Sequence, residues 1–121
     1  MIDGLLDILK DIRIPPAPSE NFVVEEISKR LTGAGISFER EVWVAKRSRV
    51  DFMLEDGVVI EVKRGKPNSK TVAAQLKKYA ASVNVSEIIL VSERGLVWHI
   101  EESNGKRVHY VSLARNWGLT I

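Results

Sequence analysis

The chain contains no cysteine, which excludes disulfide bonds and thiolate metal sites. A reducing intracellular compartment is the default for such a protein, so we expect it in the cytoplasm, or in a host cytoplasm if its source is viral. No apolar run approaches the roughly 20 residues of a membrane-spanning helix, so we expect no membrane partner. The acids Asp3, Asp7 and Asp11 argue against a signal peptide at the start of the chain.

The net charge of +2 says little about partners, but the charges are unevenly distributed along the chain. Residues 40–78 contain ten Lys or Arg against five Asp or Glu, whereas the rest of the chain contains eight bases and eleven acids. A basic stretch in an otherwise acidic protein is typical of a phosphate-binding surface. A charged surface that binds only solvent is the alternative that composition leaves open.

Hydrophobic periodicity predicts two helices at the start of the chain. Apolar residues recur at helical spacing over residues 3–12, and a proline-rich stretch at residues 14–18 must end this first helix. A second helix is expected after a cap at Ser19, with its end at Gly33 or Gly35. With 121 residues, the chain is expected to form a single domain.

The apolar pattern then changes to that of strands. We expect strands at residues 38–45, 49–54, 58–63, 87–91, 96–100 and 107–111. Hairpin turns are expected at residues 55–57 and at Asn104-Gly105, the latter pairing the last two strands. A third helix at residues 70–83 separates the third and fourth strands. Its expected buried face consists of Val72, Leu76, Tyr79, Ala80 and Val83.

A terminal turn of helix is expected at residues 112–117. The complete order is α-α-β-β-β-α-β-β-β-(α). Such an order predicts an α/β fold in which helices flank a mixed central β-sheet.

Two carboxylates are expected to meet on one side of this sheet. Glu61 and Lys63 share a face because strand side chains alternate. Asp51 lies six residues before Gly57 and Glu61 four residues after it, so the hairpin brings the two acids together. Two carboxylates held close together repel each other, and a shared proton or a bound cation relieves this repulsion. With a nearby lysine, oxygen ligands favour Mg²⁺ or Mn²⁺ over zinc.

Helix geometry suggests two more residues for this site. Glu20 falls at the centre of the apolar stripe of the second helix, at its N-terminus, and is expected to face the sheet. Gln75 lies on the buried face of the third helix, where its amide needs polar partners. A site carboxylate or a nucleic-acid backbone would supply them.

The pattern of these residues resembles the motif of the PD-(D/E)xK nuclease superfamily, especially that of the nuclease domains of type I restriction subunits and of RecB-like nucleases. Holliday-junction resolvases and small phage nucleases share that core. The resemblance rests on Asp51, on Glu61-Val62-Lys63 beyond a hairpin, and on Gln75 in the next helix. It covers residues 19–100 as a nuclease core, leaving a helix and linker at 1–18 and a strand and tail at 101–121. One departure from the motif is Val50, which stands before Asp51 in place of proline, a proline that many members also lack.

The resemblance implies a restriction-endonuclease-like core and a Mg²⁺- or Mn²⁺-dependent DNA endonuclease. Asp51 and Glu61 would bind the metal together with the Val62 carbonyl, and Glu20 directly or through water. Lys63 would orient the attacking water or neutralise charge at phosphorus, with Gln75 behind it. A symmetric homodimer would serve a branched or two-stranded substrate. Contacts to phosphates are expected from Arg47, Arg49, Arg64, Lys66, Lys70, Lys77 and Lys78.

Each of these residues also has a structural interpretation. A Glu-x-Lys pair on a strand is commonly an ion pair, and an acid in a first helical turn is favoured by the helix dipole. His99 and His109 have no partner at ligand spacing and are interpreted as structural. Trp43, Trp98 and Trp117 are interpreted as core or interface residues. The rival to an enzyme is a non-catalytic DNA-binding or assembly module on the same fold, and an RNA substrate is also open.

Overall fold

The computed structural model describes residues 2–15, 19, 21–65, 68–93 and 101–113, in which three helices flank one mixed sheet. The helices are α1 (Ile2–Lys10), α2 (Phe22–Gly33) and α3 (Ser69–Ala80). The strands are β1 (Phe38–Ala45), β2 (Ser48–Leu54), β3 (Val58–Lys63), β4 (Glu87–Ser92), β5 (Glu102–Ser103) and β6 (Lys106–Ser112). The predicted α/β class with a mixed sheet is therefore confirmed.

The six strands have the spatial order β1-β2-β3-β4-β6-β5. The first three form an antiparallel meander, while β4 is parallel to both β3 and β6. The turn at Asn104-Gly105 is confirmed, but it joins β6 to the short β5. The helical turn expected at residues 112–117 is wrong at Ser112, which belongs to β6 and pairs with Ser92. Residues 114–117 of that turn and the strand expected at residues 96–100 lie outside the described residues.

Two apolar clusters cover the two faces of the sheet. Helices α1 and α2 pack on one face, where Val58 and Ile60 of β3 belong to their cluster. Helix α3 packs on the other face, and its cluster includes Val59 of β3. Because β3 alternates, Glu61 and Lys63 follow Val59 onto the α3 face. None of the helices among the described residues has the length and apolarity to cross a membrane.

Gly57 fixes the hairpin that joins β2 to β3. Its backbone adopts φ +88°, and a Cβ there would lie 2.7 Å from the carbonyl oxygen of Asn84. The Gly57 carbonyl also accepts a hydrogen bond from the Ser86 amide at 2.9 Å. A side chain is therefore excluded by backbone conformation and by space. This close approach holds the hairpin against the loop before β4, and it sets the register that aligns Asp51 with Glu61.

The helix boundaries differ from the sequence prediction for local reasons. Helix α2 begins after Asn21, so a cap at Ser19 is wrong. Helix α3 begins one residue early because the Asn68 side chain accepts from the amides of Lys70 and Thr71. It ends at Ala80, and Val83 is 95% exposed, so its place on the buried face is also wrong.

Candidate functional site

Asp51 and Glu61 lie side by side where the pairing of β2 with β3 ends. The last paired residues are Phe52 and Ile60, and the next position along both strands is that of the two acids. The Asp51 amide donates to Glu61 Oε1 at 3.1 Å, and the Val62 amide donates to Asp51 Oδ2 at 2.8 Å. Each carboxylate thus binds the backbone of the opposite strand. The predicted meeting of the two acids is confirmed.

Lys63 and Tyr79 contact the buried Glu61 carboxylate, and Gln75 contacts Lys63. Lys63 Nζ lies 3.3 Å from Glu61 Oε2 and donates to Gln75 Oε1 at 2.5 Å. The Tyr79 hydroxyl lies 3.0 Å from the same Glu61 oxygen and 3.3 Å from the Arg49 carbonyl oxygen. Asp51, Glu61, Lys63 and Gln75 therefore form one cluster, as the sequence predicted, and α3 supplies Tyr79 as an additional member.

The electrostatics of the cluster centre on Glu61. Burial of this carboxyl group, and secondly the charge of Asp51, raise the pKa of Glu61 from its ordinary value of 4.5 to about 7. Lys63 and the hydrogen bond from Tyr79 act in the lowering direction but do not prevail. Burial and the Glu61 charge raise the pKa of the Tyr79 phenol, so this group stays protonated as a donor. Near neutral pH the Glu61 carboxyl group is therefore poised to gain or lose a proton.

Oxygen donors at this point fit a hard divalent cation. Asp51 and Glu61 supply two carboxylates at one place. The Val62 amide points towards Asp51. In a strand, the carbonyl and the amide of one residue point towards the same neighbouring strand, so the Val62 carbonyl oxygen also points towards β2. No group of three His, Cys, Asp or Glu side chains that could hold a metal occurs among the described residues. Glu20, the predicted third acid, lies outside them.

Tyr79 is the site residue that sequence reasoning missed. Its position was interpreted only as part of the apolar face of α3, although it is 2% exposed with its hydroxyl on a carboxylate. The available signal was its spacing, because Tyr79 lies one helical turn after Gln75 and so shares its face. A tyrosine at this spacing from a candidate site residue predicts a polar contact as well as packing.

Tyr79→Phe is expected to cost more stability at pH 8 than at pH 5. A hydrogen bond to a charged carboxylate contributes about 1.5–3 kcal/mol, whereas a bond to the neutral acid contributes about 0.5–1.5 kcal/mol. Glu61 has a pKa of about 7 and so changes form between these two conditions. Urea unfolding of both proteins at each pH measures the difference. An equal loss at pH 5 and pH 8 would show that Tyr79 contributes packing and no bond to ionised Glu61.

A groove of about 450 Å³ opens onto this cluster. Its walls come from the β1–β2 hairpin and from α3, with Glu61 between them. The lining residues are Trp43, Arg47, Ser48, Arg49, Glu61, Gln75, Lys78 and Tyr79. A larger groove of about 600 Å³ is lined by residues of α1, the loop before β1, the β2–β3 hairpin and Glu87, and it contains none of the site residues. The carboxylate cluster therefore opens only onto the smaller of these two grooves.

The predicted phosphate-binding cations do not all lie at this groove. Arg47, Arg49 and Lys78 line it. Lys70 and Lys77 are exposed on α3, and Arg64 forms an ion pair of 3.1 Å with Glu93. Lys66 lies outside the described residues. The geometry therefore brings three of the seven predicted cations to the carboxylates.

Two sequence interpretations of His and Trp residues are resolved by the structure. His109 does have an acidic partner, because its Nε2 lies 2.5 Å from Glu87 Oε2, but a single carboxylate does not make a metal site. Trp43 is 64% exposed, so its interpretation as a core residue is wrong. His99, Trp98 and Trp117 lie outside the described residues.

Comparison of the chain with protein-family models, with curated proteins and with solved structures found no match.

Proposed function

We propose that this protein is a Mg²⁺-dependent DNA endonuclease that hydrolyses phosphodiester bonds at the Asp51–Glu61 site. The observation that carries the proposal is the pair of adjacent carboxylates with the Lys63 amine 3.3 Å from one of them. An ion pair built only for stability does not need a second acid beside it. Two acids and a lysine in this arrangement are suited to a cation and a phosphate.

Asp51, Glu61 and the Val62 carbonyl would hold Mg²⁺ or Mn²⁺ between β2 and β3. When bound, such a cation acts as a Lewis acid on the scissile phosphate and lowers the pKa of a coordinated water. In hydrolysis, water adds a hydroxyl to phosphorus, the bond from phosphorus to one sugar oxygen breaks, and that oxygen receives a proton. Glu20 is proposed as a further ligand, directly or through water.

Lys63 is held where a positive charge is useful. Glu61 and Gln75 fix its amine from two sides, at 3.3 and 2.5 Å. An amine oriented in this way binds the attacking water or offsets the negative charge that develops on the phosphate. Gln75 therefore acts as a positioning residue for Lys63.

The charges near the site support DNA as the substrate. Arg47, Arg49 and Lys78 line the groove that opens onto Glu61, and Lys70 and Lys77 add exposed positive charge along α3. Cations along a groove neutralise consecutive phosphates and release their counterions. Arg64 and Lys66 are proposed as further phosphate contacts.

The order of elements also supports this function. An antiparallel β1-β2-β3 meander, then α3, then a parallel β4 is the order expected of a restriction-endonuclease-like core. Nothing in the chain resembles a motor, which favours an endonuclease over a processive exonuclease. We propose that a symmetric homodimer cuts branched or two-stranded DNA, since one short chain offers one site.

A cleavage panel tests the proposal directly. Single-stranded, duplex, flap and four-way-junction DNA are each incubated with the protein in Mg²⁺, Mn²⁺ or a chelator. Cleavage of at least one substrate that requires the metal is the expected result. Cleavage that persists in chelator, or the absence of cleavage from every arm, would contradict a metal-dependent nuclease.

A non-catalytic DNA-binding or assembly module is the second candidate, because the described residues supply only two acidic ligands at this site. Calorimetric titration with Mn²⁺ distinguishes the two. The nuclease is expected to bind Mn²⁺ with loss of binding in Glu61→Gln. A titration without heat in both proteins would favour the binding module.

A further inference from the structure

An exposed tryptophan stands beside the candidate catalytic site. Trp43 lies in β1, is 64% exposed and belongs to neither apolar cluster. A large aromatic side chain in water is unfavourable, because burying apolar surface releases about 25 cal/mol per Å². Its exposure therefore needs a reason other than packing within this chain.

A cation covers one part of this tryptophan. The Arg49 guanidinium carbon lies 5.5 Å from the centre of the Trp43 ring, and Arg49 Nη1 lies 3.5 Å from Glu41 Oε2. All three side chains are mostly exposed. Arg49 is thus held by a weak surface ion pair that a phosphate could displace at low cost. Its position places a positive charge over one face of the indole, so a base would stack on the other face.

Trp43 and the site share one groove. Arg47, in the turn between β1 and β2, and Lys78 on α3 line the same groove as Trp43, and Glu61 lies at its inner end. A ligand that contacts Trp43 in this groove can therefore also contact Arg47 and Lys78. A polymer that follows the groove would pass the Glu61 carboxylate.

Aromatic faces interleaved with cations are the elements by which proteins bind single-stranded nucleic acid. A base can stack on a side chain only where its own face is free, which excludes the interior of a duplex. We propose that Trp43 is a stacking platform for an unpaired DNA base, so that the site takes single-stranded DNA or the unpaired strand of a branched DNA. The inference rests on the proposed function for the identity of the polymer.

Charge complementarity favours this occupant over a second copy of the chain. A copy seated on Trp43 in a symmetric contact would have to bury Arg47, Arg49 and Lys78 against the same cations or leave them without partners. A nucleotide strand supplies an aromatic face and an anion in each repeat. An acidic peptide offers the charge without a regular aromatic face.

Binding is measured without metal, so that cleavage does not enter the result. The probes are labelled single-stranded oligodeoxythymidine, oligouridine and a blunt-ended DNA duplex of equal length, in chelator at one fixed salt concentration. The proteins are wild type, Trp43→Ala, Trp43→Phe and Val83→Ala. Val83 is the matched control because it is also an exposed large hydrophobic residue, at 95%. Thermal unfolding verifies that every variant is folded.

Trp43→Ala is expected to bind single-stranded DNA about 5- to 140-fold more weakly than wild type. Its affinity for duplex DNA should change less than twofold, because the contacts to duplex phosphates remain. Trp43→Phe should keep most of the affinity, and Val83→Ala all of it. These results together would support the stacking platform.

Three outcomes would overturn the inference. If Trp43→Ala binds single-stranded DNA as tightly as wild type does, Trp43 does not contact the strand. If the variant loses equal affinity for single-stranded and duplex DNA, the contact of Trp43 is not base stacking. A loss confined to oligouridine would make the polymer RNA. A failed inference leaves metal-dependent cleavage intact in the panel above. Conversely, if binding depends on Trp43 but no substrate is cleaved, the proposed nuclease activity is refuted and the stacking platform is retained.

Discussion

Replacing Glu61 by alanine is expected to abolish Mg²⁺-dependent cleavage of DNA, with a loss of at least about 10²–10³-fold. The same result is expected for Asp51→Ala and Lys63→Ala. The structure adds a second effect of the acid-to-alanine changes, because each carboxylate accepts a backbone amide of the opposite strand. Alanine therefore also leaves an amide without its acceptor, which costs about 1–3 kcal/mol in a buried place.

Amide variants separate chemistry from folding at this site. Asp51→Asn and Glu61→Gln keep an oxygen that accepts the amide but remove the charge that a cation needs. Cleavage is measured beside thermal unfolding for each protein, and Glu55→Gln serves as the matched control because Glu55 is exposed in the same hairpin. Full cleavage by Glu61→Gln or by Glu61→Ala would end the nuclease proposal.

The second large effect concerns the free energy of unfolding as a function of pH. Glu61 has an ordinary pKa of 4.5 when unfolded and about 7 when folded, so the folded protein retains a proton that the unfolded chain releases. Its contribution to stability is present below pH 4.5 and is lost as pH rises towards 7. A shift of this size corresponds to about 3 kcal/mol. In Glu61→Gln the contribution cannot titrate.

The measurement is the difference in unfolding free energy between wild type and Glu61→Gln at pH 5 and at pH 8, without metal. The variant should gain about 2.5 kcal/mol relative to wild type between pH 5 and pH 8, because part of the full shift is already lost at pH 5. Glu55→Gln should follow wild type. Adding Mn²⁺ at pH 8 should raise the unfolding free energy of wild type but not that of Glu61→Gln, because a ligand that binds the folded state stabilises it. Parallel pH curves for wild type and Glu61→Gln would contradict the buried charge.

The meeting of Asp51 and Glu61 could be predicted because it depends on short-range rules. Strand alternation fixes the face of each side chain, and Gly57 requires a turn whose position sets the register. The place of Gln75 in the cluster could be predicted because an amide on a buried helix face needs a polar partner. That partner is the Lys63 amine and not the expected carboxylate.

Features that depend on how all the helices and strands pack together could not be predicted in this way. The core alternative for Trp43 is wrong because β1 is the edge strand of the sheet and no described helix buries this residue, while the interface alternative stays a prediction. Val83 continues the apolar period of α3, yet the helix has ended before it. Tyr79 was recognised as buried while its hydroxyl partner, on another element, was not visible from periodicity.

The reciprocal bonds between Asp51 and Glu61 also specify how β2 and β3 align. A slip of one residue by either strand would turn the acid of that strand towards the apolar layer under α1 and α2 and would break both bonds to the backbone. The acids therefore disfavour the misaligned sheet in addition to favouring the native one. A redesign that replaced both with apolar residues would relieve the repulsion but would lose the signal that keeps the hairpin in a single alignment.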